Sequence, residues 1–600
     1  MCGFAGEIRF DGQAADVGAL QAMAACLQRR GPDSAGIWQQ GPIGLAHRRL
    51  TIIDLSAAGA QPMVDSELGL ALAFNGCIYN YRELRRELEQ RGYRFFSGSD
   101  SEVILKAYHA WGEGAVERFL GMFAFAIAER ESGRVVLARD RLGIKPLYLA
   151  SGPRRLRFAS SLPALAARNQ AGSRVDPELD TGIDPVALHH YMTFHSVVPA
   201  PHTIVRGVRK LPPATVRVIE RDGSWRDSVY WQPRFSRPSQ QYSAGEWRER
   251  VIAALRLAVQ RRMVADVPVG VLLSGGLDSS LVVALLAESG QQDLATFSIG
   301  FEAGGGESGD EFAYSDLIAR TFGTRHTQIR ISNERLLPAV DGAIEAMSEP
   351  MISHDAVAFY LLSEQVARHV KVVQSGQGAD EIFAGYDWYP PLADAPRERA
   401  LEAYAGVFFD RPRALLERII SPAFLAPSDV SREFVREHFA QPGAQTALDA
   451  ALRIDSTIML VDDPVKRVDN MTMAWGLEGR VPFLDHELVE LAAACPPELK
   501  LAQGGKGVLK DAARQLLPAA VIDRSKGYFP VPGIRYLSGG LLDKVQAALT
   551  GAAARQRGLF REDYVQKLLA APNEIRSNLG SNVTWQLALL ELWLGTHHLG

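Results

Sequence analysis

The sequence has few cysteines and no long apolar run. Four cysteines in 600 residues cannot build a disulfide framework, and their spacing suits no zinc site. No apolar stretch approaches the ~20 residues that span a bilayer. Residues 1–7 lack the basic segment and the apolar run of a secretory signal. These absences predict a reducing, cytoplasmic location and no membrane partner.

The sequence also has no large excess of basic or of acidic residues. The chain has 65 Lys plus Arg against 69 Asp plus Glu, which gives a net charge of -4. Because nucleic acids and anionic membranes are bound through basic surfaces, neither is an expected partner. Hydrophobic residues make up 47% and charged residues 22%, as in folded globular proteins. A chain this long exceeds what one hydrophobic core holds, which predicts two large domains.

Two patterns of secondary structure divide the chain. Up to residue 150, short strands and turns alternate with a few helices, which predicts an α+β layer structure. From residue 247 strands and helices alternate, which predicts a parallel, doubly wound sheet, and from residue 390 the pattern is mostly helical. The predicted segments are domains at 2–168 and 247–535, a linker and interdomain segment at 169–246, and a helical C-terminal extension at 536–600. A glycine-rich insertion at 304–309 is predicted to be a mobile loop.

The first candidate site begins at Cys2. Once the initiator Met is removed, Cys2 is terminal, and its own α-amino group, with a pKa near ~8, can take the thiol proton. A cysteine at this position alone means little. Five further segments follow it in order: 30–33 (RGPD), 47–50 (HRRL), 75–80 (NGCIYN), 98–102 (GSDSE) and 139–148 (RDRLGIKPLY). Together they resemble the glutaminase domain of class II, N-terminal nucleophile (Ntn) glutamine amidotransferases, whose fold is an αββα sandwich of two antiparallel sheets between helices.

This resemblance implies glutamine as a substrate and gives roles to four more residues. The side chain of Asn75 and the backbone N–H of Gly76 match the family's oxyanion hole, which stabilises charge on the attacked amide oxygen. Arg49 matches the residue that holds the α-carboxylate of glutamine, and Asp100 suits its α-ammonium. Cys77 departs from the pattern, because asparagine synthetases usually have Glu there. We interpret this as a change of subtype.

The second candidate site is a glycine-rich turn after a buried strand, at residues 269–280 (VGVLLSGGLDSS). Free N–H groups at a helix start bind phosphate oxygens, and glycines allow the close approach. The turn has the defining residues of neither a P-loop nor a dinucleotide fingerprint. SGGLDSS resembles the pyrophosphate loop of ATP pyrophosphatases, which cleave ATP between its α and β phosphates to form acyl-adenylates. The predicted ATP-binding residues are Leu273, Ser274, Gly275, Gly276, Asp278, Ser279, Ser298, Ile299, Ser375 and Gly376.

A second acidic loop, residues 374–381 (QSGQGADE), resembles the SGEGADE motif of asparagine synthetases. Both loops follow strands, so both are expected at the carboxyl edge of one sheet. Asp278 and Asp380 are the predicted Mg²⁺ ligands, since this ion prefers one or two carboxylates plus phosphate oxygens. Gln377 and Asp380 are the predicted substrate-binding residues. Lys506 fits the lysine that neutralises charge as pyrophosphate departs. Residues 468–473 and 477–485 match the family's C-terminal signature, and the resemblance spans residues 2–535.

The carboxylate that is amidated is indicated by departures from the family pattern. Gln377 stands where asparagine synthetases have Glu, and residues 353–357 (SHDAV) replace the usual aspartate-site segment. An aromatic run at residues 386–390 (YDWYP) is better suited to a larger acyl group. These variants look most like the amidotransferases that make N-acetylglutaminylglutamine amide, a bacterial osmolyte. The resemblance then implies adenylation of the terminal carboxylate of the dipeptide and attack by ammonia from glutamine. Asparagine synthesis from aspartate is the alternative. Amidation of another peptide or of a glycan is the next alternative.

Two hypotheses that assign the chain to other classes of protein remain open. Glutamine-fed sugar or phosphoribosyl transferases share the first domain but lack SGGLDSS, and AMP release would exclude them. An inactive binding or regulatory protein is disfavoured because Cys2, Asn75, Asp278 and Asp380 are all present. Since free ammonia would be protonated and lost to solvent, an internal, mostly apolar passage between the domains is expected. A homodimer is compatible with the sequence, which does not define the oligomeric state.

Overall fold

The computed structural model describes residues 2–169, 171–302, 309–524, 527, 531 and 536–600. The glycine-rich insertion predicted at 304–309 lies, apart from Gly309, outside the described residues, as does the domain boundary predicted at 535. The described residues form three β-sheets surrounded by helices.

Two antiparallel sheets occupy the N-terminal part of the chain. The first has the strand order β10-β8-β9-β1-β3-β2 and the second has the order β12-β11-β7-β6-β5-β4. Their strands are β1 (Gly3–Arg9), β2 (Ser34–Gln40), β3 (Ile43–Arg49), β4 (Met63–Asp65), β5 (Leu70–Ile78), β6 (Gly121–Glu129), β7 (Val135–Arg139), β8 (Tyr148–Ser151), β9 (Arg155–Ala159), β10 (Arg209–Lys210), β11 (Thr215–Ile219) and β12 (Trp225–Val229).

Alternating side chains join the two sheets into a sandwich. Phe4 and Ile8 on β1 and Leu45 on β3 share one buried cluster with Ala71 on β5 and Leu137 on β7, so the two sheets face each other. Helices cover the outer faces, and the expected αββα arrangement of the Ntn-hydrolase type is confirmed. Strands β10, β11 and β12 fall within the segment interpreted as a linker, and sequence analysis did not predict them.

The third sheet is parallel, as predicted. Its order is β15-β14-β13-β16-β17. The strands are β13 (Val269–Leu272), β14 (Ala295–Phe301), β15 (Arg325–Ile331), β16 (Val372–Gln374) and β17 (Glu478–Arg480). Val271 packs with the helices on one face, while Leu272 and Val373 pack with those on the other, because successive side chains of a strand point to opposite faces. The loops after β13 and β16 therefore meet at one edge.

Helices make up most of the remaining chain. One of them, Ala244–Arg261, starts at a capping box formed by Ser243 and Glu246. The α-helices are Val17–Cys26, Tyr81–Gln90, Asp100–Trp111, Ala115–Arg118, Leu162–Leu165, Pro185–Thr193, Ala244–Arg261, Leu277–Glu288, Phe312–Phe322, Leu336–Ala346, Asp355–Val366, Ala379–Phe383, Pro390–Ala393, Ala400–Phe408, Arg413–Ile419, Val430–Ala440, Ala447–Ile454, Lys466–Met473, His486–Ala494, Pro497–Leu501, Gly507–Ala513, Ala519–Ile522, Gly539–Thr550, Ala552–Arg557, Glu562–Ala570 and Val583–Thr596. None of the described helices could cross a membrane.

The C-terminal extension packs against the parallel-sheet part of the molecule. Trp593 is fully buried, and its indole N–H donates to the carbonyl of Met347 at 2.9 Å. Trp585 donates in the same way to the carbonyl of Ile352 at 3.0 Å. Because large buried aromatic side chains dominate core packing, these contacts attach the extension firmly to the segment between the helices Leu336–Ala346 and Asp355–Val366.

A buried charge cluster joins the N-terminal sandwich to the parallel-sheet part. Asp469, on the helix Lys466–Met473, receives Arg30 Nη1 at 2.8 Å and Lys145 Nζ at 3.1 Å. Burial would raise the pKa of Asp469, but the two cations outweigh it and lower the pKa to about 2. Arg30 also donates to the carbonyl of Cys2 at 3.4 Å. The position of Cys2 is thus tied to the packing of the two parts.

Candidate active sites

The first site is a narrow recess beside Cys2, with a volume of about 30 Å³. Cys2, Arg49, Gly76 and Asp100 all line it, so the structure brings these predicted residues together. Cys2 precedes β1, Arg49 ends β3, Gly76 lies on β5, and Asp100 opens the helix Asp100–Trp111. The recess is the size of a water site rather than of a glutamine side chain. A ligand as large as a glutamine side chain would enter only if lining groups moved apart.

Asn75 lies immediately behind the recess and is fully buried. The backbone N–H of Cys2 donates to Asn75 Oδ1 at 3.1 Å. The other end of the amide, Nδ2, is buried and has no hydrogen-bond partner among the described residues. An unsatisfied buried donor is costly, so this one is a strong candidate for a group that receives an acceptor during the reaction.

Gly76 is required by the packing of β5. A Cβ atom at this position would lie 2.1 Å from the carbonyl oxygen of Met122 on the neighbouring strand, which no side chain could tolerate. The thiol of Cys2 is buried beside it, and burial raises the pKa of that thiol. The thiol is therefore protonated at neutral pH and needs a base before it can attack.

Arg49 is held by three backbone carbonyls. Its Nη2 donates to Asp54 at 2.5 Å and to Ile53 at 3.3 Å, and its Nη1 donates to Ser56 at 3.1 Å. These bonds fix the plane of the guanidinium without neutralising its charge. A fixed, positively charged fork is suited to a carboxylate.

Asp100 supplies negative charge to the same recess. Its Oδ2 accepts the backbone N–H of Ile78 at 3.0 Å. Burial raises the pKa of this carboxyl to about 6, with a smaller contribution in the same direction from Glu478. Asp100 is therefore ionised at neutral pH and close to its titration in mildly acidic solution.

Two residues of the recess were missed by sequence analysis. Glu478 and Arg480, both on β17 of the parallel sheet, line the recess together with Cys2. Arg480 Nε donates to Glu478 Oε1 at 2.5 Å, and Arg480 Nη2 lies 3.7 Å from the sulfur of Cys77. Both residues lie in the segment 477–485, which matches the C-terminal signature of asparagine synthetases. The contact with the N-terminal sandwich depends on packing between distant parts of the chain, which no local pattern reveals.

The second site is a cavity of about 740 Å³ at the carboxyl edge of the parallel sheet. Its size lies within the usual range for pockets that hold small-molecule ligands. With the exception of Gly275, every residue predicted to bind ATP lines this cavity, and Gln377, Asp380 and Lys506 line it as well. The expectation that both loops meet at one edge is confirmed.

The Ser-Gly-Gly turn is shaped by its own side chains. Ser279 Oγ accepts from the N–H of Ser274 at 3.2 Å, and Ser274 Oγ accepts from the N–H of Gly276 at 3.3 Å. Gly275 has a φ of +77°, and a Cβ there would lie 2.6 Å from the backbone nitrogen of Ser315. The helix Leu277–Glu288 starts here without a side-chain cap among the described residues. Its first N–H groups thus face the cavity edge as an anion site.

Lys506 bridges the two acids that were predicted to bind metal. Its Nζ lies 2.6 Å from Asp278 Oδ2 and 2.9 Å from Asp380 Oδ1. Burial would lower the pKa of Lys506, but the two carboxylates raise it well above its usual value. Among the described residues, no group of three or more His, Cys, Asp or Glu side chains could hold a metal ion. Two converging carboxylates still fit Mg²⁺ when phosphate oxygens complete its shell.

The cavity contains further charged residues that sequence analysis missed. Arg524 and Glu311 line it. Arg524 forms a short ion pair with Glu311, and its Nη1 lies 3.4 Å from the carbonyl oxygen of Gly275. These residues carry no motif, so their convergence on the turn could be seen only in three dimensions.

The aromatic run does not form the expected acyl-binding surface. Tyr389 is fully buried, and its hydroxyl donates to Asp455 at 2.7 Å. The ring of Tyr386 stacks on Trp388 with centroids 4.1 Å apart, and its hydroxyl donates to Glu381 at 2.8 Å. Of residues 386–390, the cavity is lined by Asp387 and by none of the aromatic rings. The rings brace the loop, because hydrogen bonding to Asp455 and stacking consume their contact surfaces.

The fold and the two sites define a glutamine-dependent amidotransferase that consumes ATP. Comparison with known families agrees. The asparagine synthase family matches residues 250–595, and the glutamine amidotransferase domain matches residues 1–231. The chain belongs to the asparagine synthase family and is an ATP-dependent ligase with glutamine as nitrogen donor.

Several curated relatives are similar over most of their length. Asparagine synthetase [glutamine-hydrolyzing] 1 of Bacillus subtilis is 32% identical over 99% of this chain and 96% of its own. Asparagine synthetase B [glutamine-hydrolyzing] of Escherichia coli is 28% identical over 90% of this chain and 83% of its own. A solved structure, the glutamine phosphoribosylpyrophosphate amidotransferase of B. subtilis, is 15% identical over 56% of this chain and 92% of its own. Its TM-score of 0.30 is too low to carry an argument.

Proposed function

We propose that the chain releases ammonia from glutamine at Cys2 and transfers it to a carboxylate that ATP has adenylated in the larger cavity. The observation that carries this proposal is the convergence of Asp278 and Asp380, from the first turns of the helices that follow two adjacent strands, on the single ammonium of Lys506. Phosphate-binding N–H groups and a cation lie together there, which suits a reaction that expels pyrophosphate. The first activity is assigned to residues 2–168 and the second to residues 247–535.

In the first half-reaction, the thiolate of Cys2 attacks the side-chain amide carbon of glutamine. Its proton goes to the α-amino group of Cys2, which is free once the initiator Met has been removed. Asn75 Nδ2 and the N–H of Gly76 donate to the developing oxyanion, while Arg49 and Asp100 hold the α-carboxylate and α-ammonium of the substrate. The α-ammonium of Cys2 returns that proton to the departing nitrogen, ammonia leaves, and water then hydrolyses the thioester to glutamate and the free thiol.

In the second half-reaction, a carboxylate oxygen attacks the α-phosphorus of ATP and pyrophosphate departs. The N–H groups at the start of the helix Leu277–Glu288 hold phosphate oxygens, and Lys506 neutralises the charge that develops on the leaving group. Asp278 and Asp380 would hold Mg²⁺, which neutralises phosphate charge when bound. Ammonia then attacks the acyl carbon, and the C–O bond to AMP breaks.

The proposed acceptor is the terminal carboxylate of N-acetylglutaminylglutamine, which would yield the dipeptide amide. Gln377 lines the cavity where the family pattern has Glu, so the acceptor meets a neutral amide there. An N-acetylated dipeptide has no ammonium group that needs a carboxylate partner, whereas aspartate has one. Aspartate, giving asparagine, is the alternative acceptor, and family membership is equally consistent with it.

The test is a panel of carboxylates incubated with ATP, Mg²⁺ and glutamine, with AMP, pyrophosphate and product mass as readouts. We expect AMP to form only when an acceptor is present at saturating concentration, and N-acetylglutaminylglutamine to give the highest kcat/KM. Preference for aspartate would replace the proposed acceptor. Product formation without AMP would contradict the adenylation itself.

A further inference from the structure

Strand β17 lies between the two sites and contributes to both. Two of its side chains, those of Glu478 and Arg480, line the recess that contains Cys2. From its backbone, the carbonyl oxygen of Arg480 accepts the N–H of Ser375 at 2.8 Å. Ser375 lines the larger cavity. One residue therefore places its guanidinium in the glutamine recess and its carbonyl on a loop of the ATP cavity.

The guanidinium of Arg480 is held on several sides and is fully buried. Its Nη1 donates to the carbonyls of Arg262 at 2.7 Å and of Val264 at 2.8 Å. Its Nε donates to Glu478. Burial would raise the pKa of Glu478, but the charge of Arg480 outweighs burial and lowers the pKa to about 2. A residue fixed in this way cannot absorb a displacement locally, because close-packed interiors shift between discrete arrangements.

The recess must widen when glutamine enters, since its volume of about 30 Å³ is too small for the side chain. Arg480 and Glu478 form the part of its lining that belongs to the parallel sheet. Their displacement moves β17, which is paired with β16 in parallel register from Val372↔Glu478 to Gln374↔Arg480. The loop that begins at Ser375 follows β16 directly. Widening of the recess is thus mechanically linked to the position of the loop.

We propose that Arg480 is a positioning residue that couples the binding of glutamine to the binding of ATP. The inference rests on the proposed roles of the two sites. Binding of ATP shifts the Ser375–Gly376 loop, the Ser375 N–H carries the Arg480 carbonyl with the loop, and the guanidinium moves so that the recess opens. Each ligand therefore lowers the Kd of the other. Thermodynamic linkage requires ATP to lower the Kd for glutamine by the same factor as glutamine lowers the Kd for ATP, and this factor is the coupling factor.

The experiment uses full-length Cys2→Ala protein, which binds glutamine without hydrolysing it. Calorimetric titration gives Kd for glutamine with and without saturating ATP, and Kd for ATP with and without glutamine. Coupling energies between sites are typically 1–3 kcal/mol, so we expect each Kd to fall about 5-fold or more. The two factors should agree. Equal Kd values with and without the second ligand would overturn the proposal.

Arg480→Lys in the same background keeps the backbone carbonyl and the positive charge but loses the fixed guanidinium. We expect its coupling factor to fall to about 1. The matched control is Arg262→Lys. Arg262 is also buried and, like Arg480, lies over the ring of Tyr79, at 4.9 Å against 5.7 Å for Arg480, but it does not line the recess. It should keep the parental factor. If Arg480→Lys kept the factor, or Arg262→Lys lost it equally, Arg480 would have no special role.

Glu478→Gln provides a second route if circular dichroism shows that Arg480→Lys does not fold. This substitution keeps the volume of the side chain and removes the charge that orients Arg480. Its coupling factor should fall to less than half of the parental one, and an unchanged factor would contradict the proposal. Both titrations use only glutamine and ATP. A wrong acceptor assignment would therefore appear as a missing amide product and would leave this test intact.

Discussion

The backbone N–H of Cys2 binds Asn75 Oδ1 at 3.1 Å, and this hydrogen bond decides which end of the Asn75 amide remains free. With the oxygen engaged, Nδ2 is the atom available to an oxyanion. The proposed nucleophile and the proposed oxyanion donor thus orient each other. The arrangement exists before glutamine enters, and preorganisation of this kind is what makes such donors effective.

Asn75→Ala should therefore slow glutamine hydrolysis more than it weakens glutamine binding. Loss of one oxyanion donor typically costs about 10²–10³-fold in kcat, and we expect a reduction in that range with KM changed by less than about threefold. Glutamate release measures it. Ammonium-dependent amide synthesis in the same variant is the control and should persist. A rise in KM at constant kcat would show that Asn75 binds the ground state instead.

Glutamine binding should weaken in acid because of Asp100. The pKa of its carboxyl is raised to about 6, chiefly by burial, so the carboxylate, which we propose holds the α-ammonium of glutamine, is present above pH 6 and is lost as the pH falls through this value. We expect kcat/KM for glutamine to fall about tenfold per pH unit below 6. Asp100→Asn should have low kcat/KM at every pH and lose this limb of the profile. An unchanged limb in the variant would assign it to another group.

Asp278→Ala should stop AMP formation while sparing glutamine hydrolysis. Lys506 then loses its ion pair with Asp278 at 2.6 Å, at the start of the helix Leu277–Glu288, and keeps the one with Asp380. We expect AMP release to fall at least about 10²-fold, the lower range for loss of a positioned charged group in a catalytic site. Glutamate release at saturating glutamine should stay within about threefold of the parent. Equal loss of both activities would mean that the sites do not function separately.

Gln377→Glu should move acceptor preference toward aspartate. The added carboxylate gives an α-ammonium group a partner in the cavity, and it places a negative charge near an acceptor that has no such cation. We expect the ratio of kcat/KM for aspartate to that for N-acetylglutaminylglutamine to rise about tenfold or more. Asp387→Asn, at a neighbouring cavity position, is the comparison that tests whether any change of charge has this effect. If the ratio did not move, Gln377 would not contact the acceptor.

The sequence predicted those features of the molecule that are local. The alternation of strands with helices after residue 247 is a local pattern, and the five-stranded parallel sheet that it predicted lies there. Strand β2, Ser34–Gln40, was missed because it is an edge strand with mostly exposed residues and so has no buried alternation. Strands β10 to β12 were missed because they lie in a proline-rich stretch that pairs with distant parts of the chain.

The candidate sites follow the same division. Cys2, Arg49, Gly76 and Asp100 were found because an ordered set of motifs marks them, and they meet in one recess. Glu478, Arg480 and Arg524 reach their sites across hundreds of residues, and only packing shows it. The aromatic run was misinterpreted because its composition does not reveal that Asp455 binds the hydroxyl groups of both Tyr389 and Tyr404.

The ion pairs of Asp469 make the two parts of the chain poor candidates for separate expression. A fragment that ended before the parallel sheet would leave Arg30 and Lys145 side by side without their shared anion. The arginine that supports the carbonyl of Cys2 would then be drawn toward solvent, and the amino-terminal nucleophile would lose its alignment. The geometry around Cys2 in the N-terminal sandwich thus depends on Asp469 in the parallel-sheet part. This dependence favours keeping both parts in one polypeptide.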